Sequence, residues 1–177
     1  MKNQFAGHRR ASTCGGKNKG KGVWRPQTLR RNVAEVRSAI NRNAAVAGYS
    51  CDTHPFWNID LERYERAREY PHIIVCTNLS ADDNTIKLLK VELDSGSRVP
   101  KPLMNKMARM TGSGLLLCPT TTRFDKFIAA FKAIVETTKV TSDGIYLGLT
   151  KDVLEHGLVG PTFVAMDGTE IVFEVMY

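Results

Sequence analysis

Residues 162–176, TFVAMDGTEIVFEVM, carry the clearest fold signal in this sequence, that of a β-hairpin. Two apolar runs rich in β-branched residues, 162–166 and 169–176, flank the dipeptide Asp167-Gly168. Asp-Gly is a strong turn signal because a type I′ turn needs positive φ angles, which glycine adopts without strain. The sequence therefore predicts two antiparallel strands joined at Asp167-Gly168.

Further short strands are predicted upstream of this hairpin. Runs of strand length occupy residues 46–51, 70–76, 85–93, 115–118 and 145–149. A compact helix is predicted at residues 150–157, TKDVLEHG, which has an N-cap residue and a terminal glycine. Many short strands without a regular alternation of strand and helix predict an all-β fold, a jelly-roll β-sandwich with short helices.

Other segments between the strands have more than one interpretation. Residues 124–135, FDKFIAAFKAIV, form a helical stripe, but alternate residues of the same run also suit a strand; periodicity favours the helix. Met104, Met107 and Met110 recur every three residues, which predicts a helical face that fills core space. The charged segment 60–69 fits either a short exposed helix or a solvated strand.

Charge is distributed unevenly along the chain. Residues 1–42 contain 11 of the 25 Lys and Arg residues and one of the 18 acidic residues, Glu35, so they carry a net charge of +10. The remaining 14 basic and 17 acidic residues give residues 43–177 a net charge of −3. This asymmetry predicts a basic arm, residues 1–42, that contacts a polyanion, and a separate folded domain, residues 43–177.

The arm has two halves of different composition. Residues 15–22 contain only Gly, Lys and Asn, so we expect them to be disordered in the free protein. Apolar residues at helical spacing predict an amphipathic basic helix over about residues 28–42, with Thr28 as N-cap. The predicted RNA-contacting residues are the cations of the arm: Lys2, Arg9, Arg10, Lys17, Lys19, Lys21, Arg25, Arg30, Arg31, Arg37 and Arg42.

The arm has two alternative interpretations. It suits a solvated tail with an ordinary surface helix, or a membrane-surface helix, although four aliphatic residues form a thin stripe for membrane binding. No segment approaches the roughly 20 apolar residues that a membrane helix needs. No apolar run follows Met1, so a secretory signal is not predicted, and we expect no membrane partner.

Motifs for catalysis are missing from the sequence, which contains no common phosphate-binding, dinucleotide-binding, hydrolase or zinc-protease pattern. We therefore predict neither an enzyme nor a cofactor. The best metal candidate combines Cys51, His54, His72 and Cys76, whose side chains suit zinc. Because isolated Cys/His pairs are far commoner than zinc sites, we predict no metal and regard all four cysteines, which include Cys14 and Cys118, as free thiols in a reducing compartment.

Three segments resemble the coat proteins of the brome mosaic and cucumber mosaic virus family. Residues 45–50, AVAGYS, are similar to its AGYS segment, and residues 170–175, EIVFEV, to its VVHLEVE segment. Between them, Leu79-Ser80, Asp82-Asp83-Asn84 and Leu89-Lys90-Val91 are similar to its LSSExNxxLKV segment. The order agrees over about residues 44–177, behind a basic arm. The resemblance implies an eight-stranded jelly roll in which residues 127–135 form a core strand.

The resemblance also implies a function. It suggests a viral coat protein that self-associates into a capsid around single-stranded RNA, located in the virion and, during assembly, in the host cytoplasm. The alternative is a small RNA-binding regulator, such as a viral suppressor of silencing, that grips duplex RNA. A shell subunit suits a mildly acidic body with lateral apolar contacts, whereas a duplex-RNA binder usually carries its cations on the folded face.

Overall fold

One mixed β-sheet organises the part of the chain that the structure describes. The computed structural model describes residues 26–53, 71–81, 84–135, 140 and 142–175. Within them lie eight strands: β1 (Tyr49–Thr53), β2 (Ile73–Ala81), β3 (Asn84–Leu93), β4 (Ser113–Cys118), β5 (Gly144–Leu149), β6 (Thr162–Ala165), β7 (Glu170–Val172) and β8 (Glu174–Val175). Five helices accompany them: α1 (Pro26–Asn41), α2 (Ala44–Ala47), α3 (Pro100–Ala108), α4 (Thr121–Val135) and α5 (Thr150–His156).

The strand order shows that the fold is not a jelly roll. The strands are hydrogen-bonded in the order β1-β2-β3-β4-β5-β6-β7, and β8 pairs with β2. β3, β4 and β5 are parallel, whereas the pairs on either side of them are antiparallel. The prediction of an all-β fold is therefore wrong, and the described residues form an α/β domain.

The physical reason for this correction lies in the two connections at the centre of the sheet. Parallel neighbours need a long crossover, usually helical, and α3 and α4 supply it between β3 and β4 and between β4 and β5. Each predicted strand exists at least in part, but short apolar runs occur in jelly rolls and in α/β sheets alike. Helices were predicted in both of these segments, but they were not recognised as crossovers between parallel strands, and this led to the wrong fold class.

The last described residues link one edge of the sheet to β2, which lies next to the other edge. β7 pairs with β6, and β8 pairs with β2 through Leu79↔Val175 and Ser80↔Glu174. Phe173, which lies between β7 and β8, is fully buried and stacks on Phe163 with the ring centroids 4.7 Å apart. The sheet therefore curls around a core that contains these two rings.

Two hydrophobic cores lie on opposite faces of the sheet. In β4, Leu115 and Leu117 belong to the first core, whereas Leu116 and Cys118 belong to the second. Residues of α1 and α5 complete the first core, and residues of α3 and α4 complete the second. Because β4 is buried on both faces, residues 115–118 form a continuous apolar run rather than an alternating one.

The segment at residues 124–135, whose periodicity suits either a helix or a strand, is helical. Phe127, Phe131 and Ile134 are buried in the second core at spacings of four and three residues, which confirms the prediction from periodicity. The core strand that the resemblance implies for residues 127–135 is wrong. Opposite α4, Met104 and Met107 of α3 are fully buried, so the methionine spacing does mark a core-filling face.

α1 packs onto the domain although its residues belong to the predicted arm. Val33, Val36 and Ile40 are buried in the first core, which confirms the predicted apolar stripe. The helix begins at Pro26, two residues before the predicted N-cap. The hydroxyl group of Tyr49 in β1 donates a hydrogen bond of 2.6 Å to the carbonyl of Ile40 and fixes the end of the helix.

The terminal hairpin forms as predicted, but with a longer turn. Gly168 N–H donates to the carbonyl of Ala165 at 3.0 Å, and Ala165 N–H donates to the carbonyl of Thr169 at 2.8 Å. This is the pattern of a three-residue loop rather than a two-residue type I′ turn. Gly168 has the positive φ that the sequence predicts, +91°.

Two further predictions concern the first half of the chain. The strand predicted at residues 46–51 is partly wrong, because α2 occupies Ala44–Ala47 and β1 begins only at Tyr49. A left-handed glycine, Gly48 with φ +70°, ends the short helix and turns the chain into the strand. The charged segment at residues 60–69 lies outside the described residues.

Candidate functional site

A row of buried polar residues crosses the sheet beneath α3 and α4. His72, immediately before β2, lies opposite Glu92 of β3, because Ile73 pairs with Val91 and His72 N–H donates to the carbonyl of Val91 at 3.0 Å. Glu92 alternates with Val91 and Leu93, which face the first core, so its side chain faces the second core. Only 1 % of each side chain, His72 and Glu92, is exposed.

Two cations reach the Glu92 carboxylate from the α3 side. Arg98 Nη1 donates to Glu92 Oε1 at 2.7 Å, and Lys106 Nζ donates to the same oxygen at 3.1 Å. Burial alone disfavours the charged form of Glu92, but the nearby charges of His72 when protonated, Lys106 and Arg98 together lower its pKa. Glu92 is therefore an ionised group that fastens α3 and the preceding loop to the sheet.

His72 is neutral near pH 7. Burial, reinforced by the charges of Arg98 and Lys106 and opposed by that of Glu92, lowers its pKa to about 4. Its Nδ1 accepts a hydrogen bond of 2.8 Å from Leu93 N–H, so the imidazole carries its proton on Nε2. The distance from Nδ1 to Glu92 Oε2 is 3.9 Å, which is too long for a hydrogen bond. The two groups do not form a relay for proton transfer.

A second ion pair lies beside the first, at the end of β3. Asp94 N–H donates to the carbonyl of Leu117, and the Asp94 carboxylate accepts two hydrogen bonds from Arg123 of α4, at 2.7 and 2.8 Å. Arg123 also donates to the carbonyl of Arg98 at 2.7 Å. Burial raises the pKa of the Cys118 thiol to about 12. The charge of Asp94 adds to this increase, and the charge of Arg123 opposes it. Cys118 is therefore a protonated, weakly nucleophilic thiol.

This cluster lies where α/β sheets commonly bind ligands, at the carboxyl ends of parallel strands. Its charged side chains, however, already form ion pairs with one another: Arg98 and Lys106 pair with Glu92, and Arg123 pairs with Asp94. With His72 neutral, three cations face two carboxylates. The role that this arrangement supports is structural: the ion pairs attach α3 and α4 to the sheet and make that helical layer rigid.

The cysteine and histidine residues of the zinc candidate do not converge. Cys51 lies opposite Val75 and Cys76 lies opposite Ser50, so the two thiols are on opposite faces of the sheet. Burial, opposed by Arg37 and reinforced by Asp52, raises the pKa of Cys51 to about 12, and His72 Nδ1 accepts the bond from Leu93. His54 lies outside the described residues. Within residues 26–53, 71–81, 84–135, 140 and 142–175, no three His, Cys, Asp or Glu residues are grouped for metal binding.

The predicted RNA-contacting residues fall into two groups. The structure describes the side chains of three of them, and each has an intramolecular partner: Arg31 pairs with Glu35 at 2.8 Å, Arg37 pairs with Asp52 at 3.0 Å, and Arg42 donates to the carbonyls of Leu154 and Glu155 at the end of α5. Outside the described residues or side chains lie Lys2, Arg9, Arg10, Lys17, Lys19, Lys21, Arg25 and Arg30.

Sequence reasoning overlooked the polar row under α3 and α4. The alternation of polar Lys90, Glu92 and Asp94 with apolar residues along β3 was the available signal, because it places those side chains on one face. Their partners were not predictable, since Arg123 is 29 residues away from Asp94 in the chain.

No protein-family model matches this chain, and no curated protein or solved structure is significantly similar to it. None of the described helices is both long and apolar enough to cross a membrane. The assignment of a function therefore depends on the charges and contacts of this chain alone.

Proposed function

We propose that this protein binds RNA through the basic residues at the start of its chain. Residues 1–25 contain seven cations and no acid: Lys2, Arg9, Arg10, Lys17, Lys19, Lys21 and Arg25. The other 152 residues contain 18 basic and 18 acidic residues, so the net charge of +7 resides entirely in this segment. This concentration of charge is the observation that carries the proposal.

The composition of residues 1–25 suits contact with RNA phosphates. Lysines separated by glycine and asparagine in residues 15–22 neutralise phosphates without requiring a fixed geometry. Each neutralised phosphate releases condensed counterions, so the affinity depends on salt and little on base sequence. Single-stranded RNA of any sequence therefore offers the contacts that this segment needs for binding.

The packing of α1 favours RNA over a membrane surface as the polyanion. A membrane-surface helix needs a free apolar face. Val33, Val36 and Ile40, which form the apolar face of α1, are instead buried in the first core of the domain. Within the predicted arm, the charge that remains for a polyanion is the charge that precedes the helix.

A capsid is not required for this function. The coat-protein hypothesis depended on a jelly roll, and the described residues form an α/β domain instead. Large lateral apolar contacts also lack support: among the described residues, the large apolar side chains that are well exposed are Val46, Val99 and Val172. We therefore favour an RNA-binding protein that acts without forming a shell, and self-association becomes an outcome to be measured.

The decisive experiment replaces Arg9, Arg10, Lys17, Lys19 and Lys21 by alanine. Binding of an unstructured oligouridylate is measured by fluorescence anisotropy over a range of salt concentrations. The slope of log affinity against log salt should fall by about 0.7 per lost contact, roughly 3.5 for five contacts. Affinity should fall equally for RNAs of unrelated sequence.

A control that removes a single cation is Arg31→Gln, because Arg31 already pairs with Glu35 and should contribute no contact. An unchanged slope in the five-residue variant would refute the proposal. Sedimentation of the unmodified protein with RNA distinguishes a regulator from a coat protein. Discrete small complexes support the regulator, whereas large closed particles restore the coat-protein hypothesis.

A further inference from the structure

The outer surface of α3 and α4 is strongly cationic. Residues 98–135, all of them described, contain seven basic residues and a single acid, Asp125. Three of the cations, Arg98, Lys106 and Arg123, hold the buried carboxylates beneath the helices. The other four are exposed, and none has a carboxylate of the described chain within ion-pair distance: Lys101, Arg109, Lys126 and Lys132.

The side chains that are described in the opposite helical layer show no such excess of cations without partners. In α1 and α5, Arg31 pairs with Glu35, Arg37 with Asp52, and Lys151 lies 3.9 Å from Asp152. Arg42 is held by carbonyl groups at the end of α5. Among the side chains that the structure describes, exposed cations without an acidic neighbour therefore lie on the α3–α4 layer rather than on α1 and α5.

The buried ion pairs keep this layer fixed. Glu92 holds Arg98 and Lys106, and Asp94 holds Arg123, so both helices are attached to the end of β3. Beneath them, methionines of α3 and phenylalanines of α4 share the second core. The exposed cations are consequently presented from a rigid support, unlike lysines on a flexible segment.

We propose that the outer face of α3 and α4, with Lys101, Arg109, Lys126 and Lys132, is a second contact surface for the phosphate backbone of RNA. The inference rests on the proposed RNA-binding function and extends it from the start of the chain to the folded domain. The partner is selected by charge complementarity, because four exposed cations without a carboxylate partner among the described residues favour a polyanion. Phosphate contacts of this kind position an RNA without reading its bases.

The test compares two double variants that remove the same charge. Lys126→Gln/Lys132→Gln removes from α4 two cations without a described acidic partner. Arg31→Gln/Lys151→Gln removes two exposed cations that already have acidic neighbours. With an oligouridylate probe, the first variant should reduce the salt slope by about 1.4, or 0.7 for each contact. The second should leave the slope unchanged.

An equal reduction of the salt slope in both variants would overturn the inference, because it would show an effect of net charge alone. An unchanged slope in the first variant would also overturn it. Melting temperatures verify that both proteins are folded. If the α4 variant is unfolded, Lys101→Gln/Arg109→Gln, in α3 and directly after its end, carries the same expectation. If the α4 variant keeps the salt slope of the unmodified protein while the five-residue arm variant has a reduced slope, the proposed function stands. Only the contact surface on α3 and α4 is then refuted.

Discussion

Arg123 holds Asp94 with two parallel hydrogen bonds, from Nε to Oδ2 at 2.7 Å and from Nη2 to Oδ1 at 2.8 Å. The Asp94 side chain is fully buried, and 15 % of the Arg123 side chain is exposed. Bidentate Arg–carboxylate pairs are among the stronger and more directional interactions in proteins. This pair joins the end of β3 to the first turn of α4 and, through the Arg98 carbonyl, to the loop before α3.

Removing the Arg123 guanidinium should destabilise the domain strongly. In Arg123→Met, the Asp94 carboxylate stays buried without its counter-charge, and we expect the free energy of unfolding to fall by about 3 kcal/mol or more. Arg123→Lys, which keeps the charge but not the two parallel bonds, should lose less. Urea denaturation measures both. Lys126→Met, an exposed change on the same helix, is the control and should shift stability by no more than about 0.5 kcal/mol. An Arg123→Met protein as stable as this control would contradict the prediction.

Burial of neutral His72 predicts a loss of stability in mild acid. In the unfolded chain the imidazole binds a proton below about pH 6.5, whereas in the folded protein its pKa is about 4. The unfolded state therefore takes up the proton first, and stability falls as the pH is lowered from 6.5 towards 4. A difference of this size corresponds to about 3 kcal/mol over the whole window. Glu92, whose folded pKa is lowered, adds a loss only below its unfolded value of about 4.5.

The variant His72→Asn separates this effect from general acid sensitivity. The asparagine side-chain oxygen can accept the hydrogen bond from Leu93 N–H, but the side chain does not titrate. Urea midpoints measured between pH 7 and pH 4.5 should decline in the unmodified protein and stay nearly flat in the variant. Parallel decline in both proteins would show that His72 is not the responsible group.

The packing of α1 predicts different results for two truncations. A chain that begins at Pro26 keeps α1 and should retain the helical circular dichroism and melting temperature of the whole protein. A chain that begins at Asn43 lacks Val33, Val36 and Ile40, whose burial stabilises the first core by roughly 5 kcal/mol in total. That loss is comparable to the stability of a typical domain, so the shorter chain should unfold or aggregate. Cooperative melting of the shorter chain at an unchanged temperature would contradict the packing of α1.

The positive φ of Gly168 predicts the effect of substitutions in the terminal hairpin. No atom lies within 4 Å of a Cβ built at this position, so any cost comes from the backbone angle alone. Gly168→Val should reduce the free energy of unfolding by about 1 to 3 kcal/mol, because β-branched residues strongly disfavour positive φ. Gly168→Asn should cost less, since asparagine tolerates this region better. Equal stability of the valine and asparagine variants, measured by thermal melting, would argue against the observed turn.

The sequence by itself determined the local elements and the charge distribution. The stripes of α1 and α4, the two-turn helix α5 and the positive φ of Gly168 follow from residues within a few positions of one another, which is the range over which helix and turn geometry operates. The separation of the basic start of the chain from the rest is likewise a property of composition, and it supports the RNA-binding proposal independently of the fold.

Only the tertiary structure decided how these elements combine. The runs that form β3, β4 and β5 suit antiparallel and parallel sheets equally, and their parallel pairing depends on helical crossovers that pack against a distant face. Arg42 shows the same limit: its sequence neighbourhood indicates a free cation for RNA, whereas folding brings it to carbonyl groups more than a hundred residues away. The ion pair between Asp94 and Arg123 also arises from a long-range contact, because the partner of each charge is set by the packing of the chain and not by its local pattern.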